Sequence, residues 1–106
     1  MSRRAEKLEE ALRETAAEFL SREAGRKSLI TVTRVVLNEK GTHANIMITV
    51  LPESSEESAA LFANRHRKEF GDFFEKRIRG ARLPHISFEI DRGEKNRQRL
   101  DELSQG

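Results

Sequence analysis

Seven lysine and arginine side chains lie within residues 65–82 of this sequence. They are Arg65, Arg67, Lys68, Lys76, Arg77, Arg79 and Arg82. Against them stand three acidic residues, so the segment has a formal charge of +4, whereas the whole 106-residue chain carries only +2. Concentrated positive charge on an amphipathic element attracts a phosphate backbone, which makes this segment a candidate nucleic-acid-binding site. The alternative is an ordinary solvated helix face, because most charge runs are of that kind.

The first residues of the chain also carry positive charge. Arg3 and Arg4, followed by Lys7, are candidates to extend the basic surface from the first helix. No two glycines stand three residues apart, so the sequence has no GxxG nucleotide clamp, no GxGxxG turn and no P-loop. Every Phe except Phe62 falls on a predicted core stripe, and Tyr and Trp are absent. The sequence therefore favours side chains that read the backbone of a folded RNA over an aromatic platform.

Catalytic and metal-binding patterns are missing from the sequence. The chain has no Cys, which excludes disulfides, thiolate catalysis and Cys-ligated zinc. His43, His66 and His85 occur singly, and no Gly-x-Ser-x-Gly elbow is present. We therefore predict no catalytic residue, metal, cofactor or small-molecule substrate, with a small hydrolase kept only as a minor alternative.

Length and composition favour one small folded unit. We predict a single domain over residues 1–106, with a modest core beneath a heavily charged surface, because 36% of the residues in the chain are charged. No apolar run approaches the length of a membrane span, and the N-terminal residues do not resemble a signal peptide. These features predict a soluble, cytoplasmic protein with no membrane partner.

Hydrophobic periodicity predicts the elements of the first half of the chain. Apolar residues at helical spacing predict a helix over residues 3–23, with Ser2 as N-cap and Gly25 as its stop. A β-branched run predicts a strand over residues 29–37, and alternation from Ala44 to Val50 predicts a second strand. The turn at residues 38–41 makes the two strands an antiparallel hairpin.

The second half of the chain predicts an interrupted helix, a third strand and a terminal segment. Ser54 and Glu57 have the spacing of a capping box that would open the helix. One straight helix that buried the later Phe residues would turn Leu61 toward solvent. This conflict predicts a break near residues 64–68, which would let both face the core. Residues 86–90 alternate as a strand, and residues 94–103 predict a short helix that uses Leu100 and Leu103, so that residues 93–106 form a frayed helix or tail. We expect the first strand to be central in the sheet and the two long helices to cover one of its faces.

Three stretches of this sequence resemble the ribosome-binding factor A family. Residues 32–36, Val-Thr-Arg-Val-Val, are similar to the first strand of that family. Residues 44–51, Ala-Asn-Ile-Met-Ile-Thr-Val-Leu, are similar to its second strand, Ala-Lys-Val-Tyr-Val-Ser-Val. Residues 70–91 are similar to its helix followed by a proline, a strand and a closing aspartate. The likeness covers about residues 3–103 and comes from order and spacing rather than from one motif.

The resemblance implies an α+β fold of the type II KH-like class, ordered helix, strand, strand, kinked helix, strand. In that family a small Ala-x-Gly element at the kink takes the place of the GxxG loop. An ungapped match puts residues 66–68 at this element and a shift by three puts residues 63–65 there, and neither stretch contains the glycine.

The resemblance also implies a function. It predicts a non-catalytic bacterial factor that binds the 30S ribosomal subunit and its 16S rRNA, as a monomer, and assists late subunit maturation and rRNA processing. The alternative is a protein-interaction adaptor with an incidental basic surface, which would use the hairpin edge or the surface of Leu61 and Phe62.

Overall fold

The computed structural model describes residues 3–23 and 28–105, with side chains described up to residue 103. Its helices are α1 (Arg3–Glu23), α2 (Glu56–Arg65), α3 (Arg67–Arg77) and α4 (Arg92–Gln105). Its strands are β1 (Leu29–Leu37), β2 (His43–Leu51) and β3 (His85–Ile90). The predicted α+β class and element order are confirmed. The predicted cap and stop of the first helix, Ser2 and Gly25, lie outside the described residues.

The three strands form one sheet in the order β1-β2-β3, so the expectation that the first strand is central is wrong. β1 pairs antiparallel with β2 through the hairpin, and β3 pairs parallel with β2 on its other edge. The burial pattern agrees with this order. On the outward face of the sheet, β2 has only half-buried residues from Asn45 to Thr49, whereas the edge strand β1 exposes Leu29, Arg34 and Val36.

A bulge in β1 sets which of its side chains reach the core. The register with β2 shifts between Val32 and Arg34, which leaves Thr33 as the extra residue. Strict alternation would send Val32 and Val35 to opposite faces of the sheet. The bulge turns both valines inward, and both are buried.

The core lies between one face of the sheet and the helices α1, α2 and α3, as expected. Phe70 is central to it, because its ring centroid lies 5.5 Å from that of Phe19 on α1 and 5.9 Å from that of Phe88 on β3. Both contacts have the edge-to-face geometry that aromatic pairs prefer. Phe70 and Phe74 are fully buried, so α3 is fixed to the sheet through this cluster.

The predicted capping box at the start of the broken helix is wrong. Ser54 lies instead in a single 3-10 turn, Glu53–Ser55, and α2 begins at Glu56 without a side-chain cap from Ser55. The Ser55 N–H donates to the Pro52 carbonyl at 2.9 Å, and this tight turn takes up the residues that the capping box would have used. The Ser58 hydroxyl donates back to the Ser55 carbonyl.

The helix α4 begins at Arg92, two residues before the predicted start, because Asp91 caps it. One carboxylate oxygen of Asp91 accepts a hydrogen bond from the Glu94 backbone N–H at 3.0 Å. Leu100 and Leu103, the predicted packing residues, are 65% and 72% exposed, so that part of the prediction is wrong. Ion pairs attach α4 instead, from Lys95 to Glu53 and Glu56 and from Arg99 to Glu53.

Asp91 joins α4 to the edge strand β1. The residue is only 2% exposed, and its second carboxylate oxygen accepts hydrogen bonds from Thr33 Oγ1 at 2.6 Å and Arg34 Nε at 3.2 Å. Burial by itself raises the pKa of the Asp91 carboxyl, but the hydrogen bonds from Thr33 and Glu94 and the charge of Arg34 outweigh burial. The net effect lowers the pKa of Asp91 below its ordinary value of 3.8.

We expect Asp91→Asn to lower the free energy of unfolding by about 1–2 kcal/mol at neutral pH, because hydrogen bonds to a charged group are lost. A carboxyl whose pKa is lowered on folding stabilises the protein above its unfolded pKa and loses that contribution as pH falls through the folded value. Urea unfolding at pH 7 and below pH 3.8 should therefore give a gap between wild type and variant that closes in acid. Asp72→Asn, at an exposed position of α3, is the control. Equal stabilities at pH 7 would contradict the assignment.

Candidate nucleic-acid interface

The predicted break in the second helical region is confirmed and falls at His66, between α2 and α3. The His66 N–H donates to the Ala63 carbonyl at 3.1 Å, and its own carbonyl accepts from the Phe70 N–H at 2.9 Å, so both helices use this residue as their cap. Its backbone angles are φ −102° and ψ 20°. A residue with a side chain can adopt this conformation because φ is negative, so the break does not require the glycine that the Ala-x-Gly element supplies. Leu61 remains 52% exposed, so the break does not bury it as expected.

Asn64 fixes the helix break to the sheet. Its side-chain oxygen accepts a hydrogen bond from the Phe88 N–H at 2.9 Å, and its side-chain nitrogen donates to the Phe88 carbonyl at 3.0 Å. The same nitrogen donates to the Ala60 carbonyl at 2.9 Å. Because β3 is an edge strand, Asn64 supplies the partners that a further strand would supply. Sequence reasoning missed this role, and its one signal was a lone amide within an alanine-rich helical segment.

Three of the predicted cations surround the break. Arg65 ends α2, while Arg67 and Lys68 begin α3, and all three side chains are exposed. Arg67 Nε donates to the Asn64 carbonyl at 3.0 Å, which orients this guanidinium beside the break. Arg65 and Lys68 form no ion pair with any residue in the described ranges. The structure therefore presents three positive charges at a fixed bend of the chain.

The exposed face of α3 carries acidic as well as basic residues. Glu69, Asp72 and Glu75 lie on this face between Lys68 and Lys76. At 1.5 Å per helical residue the two lysines are separated by about 12 Å along the axis. The seven cations of the segment thus form two groups, one around the break and one at the end of α3, with acids between them.

The second group follows the end of α3. Lys76, Arg79 and Arg82 are exposed and form no ion pair within the part of the chain that the structure describes. Gly80, with φ +80°, turns the backbone between the two arginines, a conformation that favours glycine. Arg3 and Arg4 are exposed at the first two positions of α1.

Arg77 differs from its neighbours because its guanidinium is already engaged. Its two terminal nitrogens donate to the two carboxylate oxygens of Glu18 on α1, one of them at 2.6 Å. The guanidinium carbon lies 4.9 Å from the ring centroid of Phe73, so the charged group of Arg77 also contacts this aromatic ring. The hydrogen bond from Arg77 lowers the pKa of the Glu18 carboxyl below its ordinary value. Arg77 thus joins α3 to α1.

The three histidines occupy two separate places. The rings of His43 and His85 lie 5.4 Å apart at the start of two neighbouring strands, and His66 lies at the helix break. Within residues 3–23 and 28–105, no three His, Cys, Asp or Glu side chains are grouped so that they could hold a metal ion. In the same ranges no helix combines the length and apolar character needed to cross a membrane.

Solved structures share this architecture. The crystal structure of ribosome-binding factor A from Thermus thermophilus is 26% identical, with a TM-score of 0.67 over 77% of this chain and 90% of that chain. A model of the Thermus thermophilus factor, fitted into a cryo-EM map of a 30S–ribosome-binding factor A complex, is 26% identical with a TM-score of 0.70. It covers 81% of this chain and 93% of that chain. A solution NMR structure of a Thermotoga maritima protein, 23% identical with a TM-score of 0.64 over 77% of this chain and 81% of that chain, shows the same fold.

The family comparison covers nearly the whole sequence. No curated protein matches the chain significantly. The family model for ribosome-binding factor A, however, matches residues 4–104, which include the whole described fold except the first residue of α1 and the last residue of α4. This chain therefore belongs to the ribosome-binding factor A family.

Proposed function

We propose that this protein binds the 30S ribosomal subunit through its 16S rRNA and assists late maturation and processing of that RNA without catalysing a reaction. Family membership supports the ribosomal partner, and the Thermus thermophilus relative has been fitted into a map of its 30S complex. The observation that carries the proposal for this chain is the group of exposed cations around the helix break. Among the described residues, Arg65 and Lys68 have no ion pair to lose before they meet a phosphate.

The mechanism follows from the absence of a nucleotide clamp. Without a GxxG loop, the backbone cannot approach a single strand closely, so charged side chains make the contacts. Side chains of fixed position bind best to an RNA surface whose phosphates have the matching spacing. The protein then shifts the population of rRNA conformations toward the one that it binds more tightly. In this proposal residues 1–106 act as a single domain and as a monomer in the cytoplasm, and no cofactor is needed.

Sucrose-gradient sedimentation with purified 30S and 50S subunits tests this function. We expect the protein to travel with 30S and not with 50S at about 50 mM salt, and to be released as salt rises to about 200 mM, because each neutralised phosphate contributes a slope of nearly one log unit per log of salt. Equal recovery with both subunits would contradict the proposal. Salt-independent binding would instead favour an adaptor that docks through an apolar surface such as that of exposed Leu61.

A further inference from the structure

Phe62 is set apart from the other phenylalanines of the protein. Phe19, Phe70, Phe74 and Phe88 belong to the buried core, and Phe73 packs against it. Phe62 is half-buried and belongs to neither group. Its ring contacts that of His66 one helical turn later, with the centroids 4.2 Å apart and the planes inclined by 36°. An aromatic pair therefore lies at the helix break, outside the core.

Hydrogen bonds within the pair and from the segment between its two residues hold the geometry of the rings. His66 Nδ1 lies 2.8 Å from the Phe62 carbonyl oxygen. Since a carbonyl only accepts, Nδ1 carries the proton and donates, and in the neutral ring Nε2 is left as an acceptor. The backbone between the two rings is fixed in turn, because Asn64 binds both polar groups of Phe88. The rings are thus positioned before any partner arrives.

The surroundings of the pair match a nucleotide better than an apolar partner. Arg65 lies between the two rings in the chain, Arg67 and Lys68 follow directly after them, and all three side chains are exposed. A nucleotide combines a flat base, which stacks on Phe or His rings, with a phosphate, which binds arginine and lysine. Three exposed cations within two residues of His66 in the chain supply phosphate-binding groups, which an apolar partner does not require.

We propose that Phe62 and His66 form a stacking platform for an unpaired RNA base, while Arg65, Arg67 and Lys68 hold the adjoining phosphates. This inference rests on the proposed RNA-binding function and adds to it a preference for a bulged or looped nucleotide over a continuous duplex. Stacking on an aromatic side chain changes affinity by about five- to hundredfold per base. The residues at the helix break then recognise an unpaired base as well as the phosphates of the RNA backbone.

The test uses a short RNA duplex with one bulged 2-aminopurine, whose fluorescence is quenched when it stacks. The wild-type protein should quench this probe and bind it at least about fivefold more tightly than the same duplex without the bulge. Phe62→Leu should lose both the quenching and the preference but keep the salt slope, and Phe62→Tyr should retain all three. Leu61→Ala is the control, because it removes a neighbouring exposed side chain and leaves the platform.

The outcomes separate the platform from the proposed function. If Phe62→Leu, confirmed as folded by circular dichroism, still quenches and still prefers the bulge, the platform is refuted. If Phe62→Leu loses association with a protein of the subunit but not with RNA, the platform is likewise refuted in favour of a protein partner. If the probe RNAs show no salt-dependent binding to the wild-type protein or to either Phe62 variant, the RNA-binding function itself fails.

Discussion

Charge reversal at Arg65, Arg67 and Lys68 together is expected to abolish co-sedimentation with small subunits while leaving the fold intact. The triple substitution to Glu replaces three phosphate-binding groups by three that repel phosphate. The fold should survive, because the three side chains are exposed and, of the three, only the side chain of Arg67 donates a hydrogen bond within the part of the chain that the structure describes. Sedimentation and circular dichroism measure the two halves of this expectation.

Neutralising the same three residues, instead of reversing their charge, gives a quantitative expectation for the salt dependence of binding. Substituting the three residues by Gln should lower the slope of log affinity against log salt by about 2–3, if each side chain neutralises one phosphate. The control variant reverses exposed cations elsewhere that form no ion pair among the described residues, Lys40 on the hairpin turn and Arg92 on α4. Unchanged co-sedimentation of the Arg65, Arg67 and Lys68 variant, or an equal loss in the control, would refute the site.

Asn64→Ala is expected to lower the free energy of unfolding by about 2–3 kcal/mol, because it leaves the N–H and carbonyl of Phe88 without their side-chain partners. Phe88 is buried, so water replaces these hydrogen bonds poorly. The variant also frees the end of α2 from the sheet edge. We therefore expect weaker RNA binding as well, since the cations around His66 lose their fixed positions.

Urea unfolding measures this loss, and Asn64→Asp separates its parts. Aspartate still accepts from the Phe88 N–H, but it places a negatively charged oxygen against the Phe88 and Ala60 carbonyl oxygens to which Asn64 donates. Its effect on stability should therefore be at least as large as that of alanine. Ser58→Ala serves as the control, because its hydroxyl makes one exposed hydrogen bond at the start of α2. A variant Asn64→Ala as stable as the wild type would show that the two hydrogen bonds contribute nothing.

Elements governed by local periodicity could be predicted from the sequence. The bounds of α1 and β1 agree with prediction because apolar spacing and β-branched residues determine them. The helix break was predicted because the positions of Phe70 and Leu61 do not fit one straight helix, although Leu61 stays exposed all the same. Strand order was not predictable in this way, because it depends on how the broken helix returns the chain to the edge of β2.

The candidate site was predicted in composition but not in arrangement. Each predicted cation is exposed, as its charge requires, yet the acids on α3 divide them into two groups and Glu18 engages Arg77. Glu18 lies 59 residues before Arg77 in the chain, so no local sequence pattern predicts this contact. The role of Asn64 is hidden for the same reason, because its partner Phe88 lies 24 residues later.

The bend at His66 does not depend on glycine, so the side chain at this position can change while the bend is kept. A bend made by glycine admits no side chain, so its chemistry is fixed for as long as its shape is kept. Here the shape persists with φ −102°, so the backbone conformation at position 66 admits L amino acids other than proline, which would lack the N–H that binds the Ala63 carbonyl. Substitution there can retune which molecules are preferred without redesigning the scaffold, which makes this one position a natural starting point for engineering new selectivity.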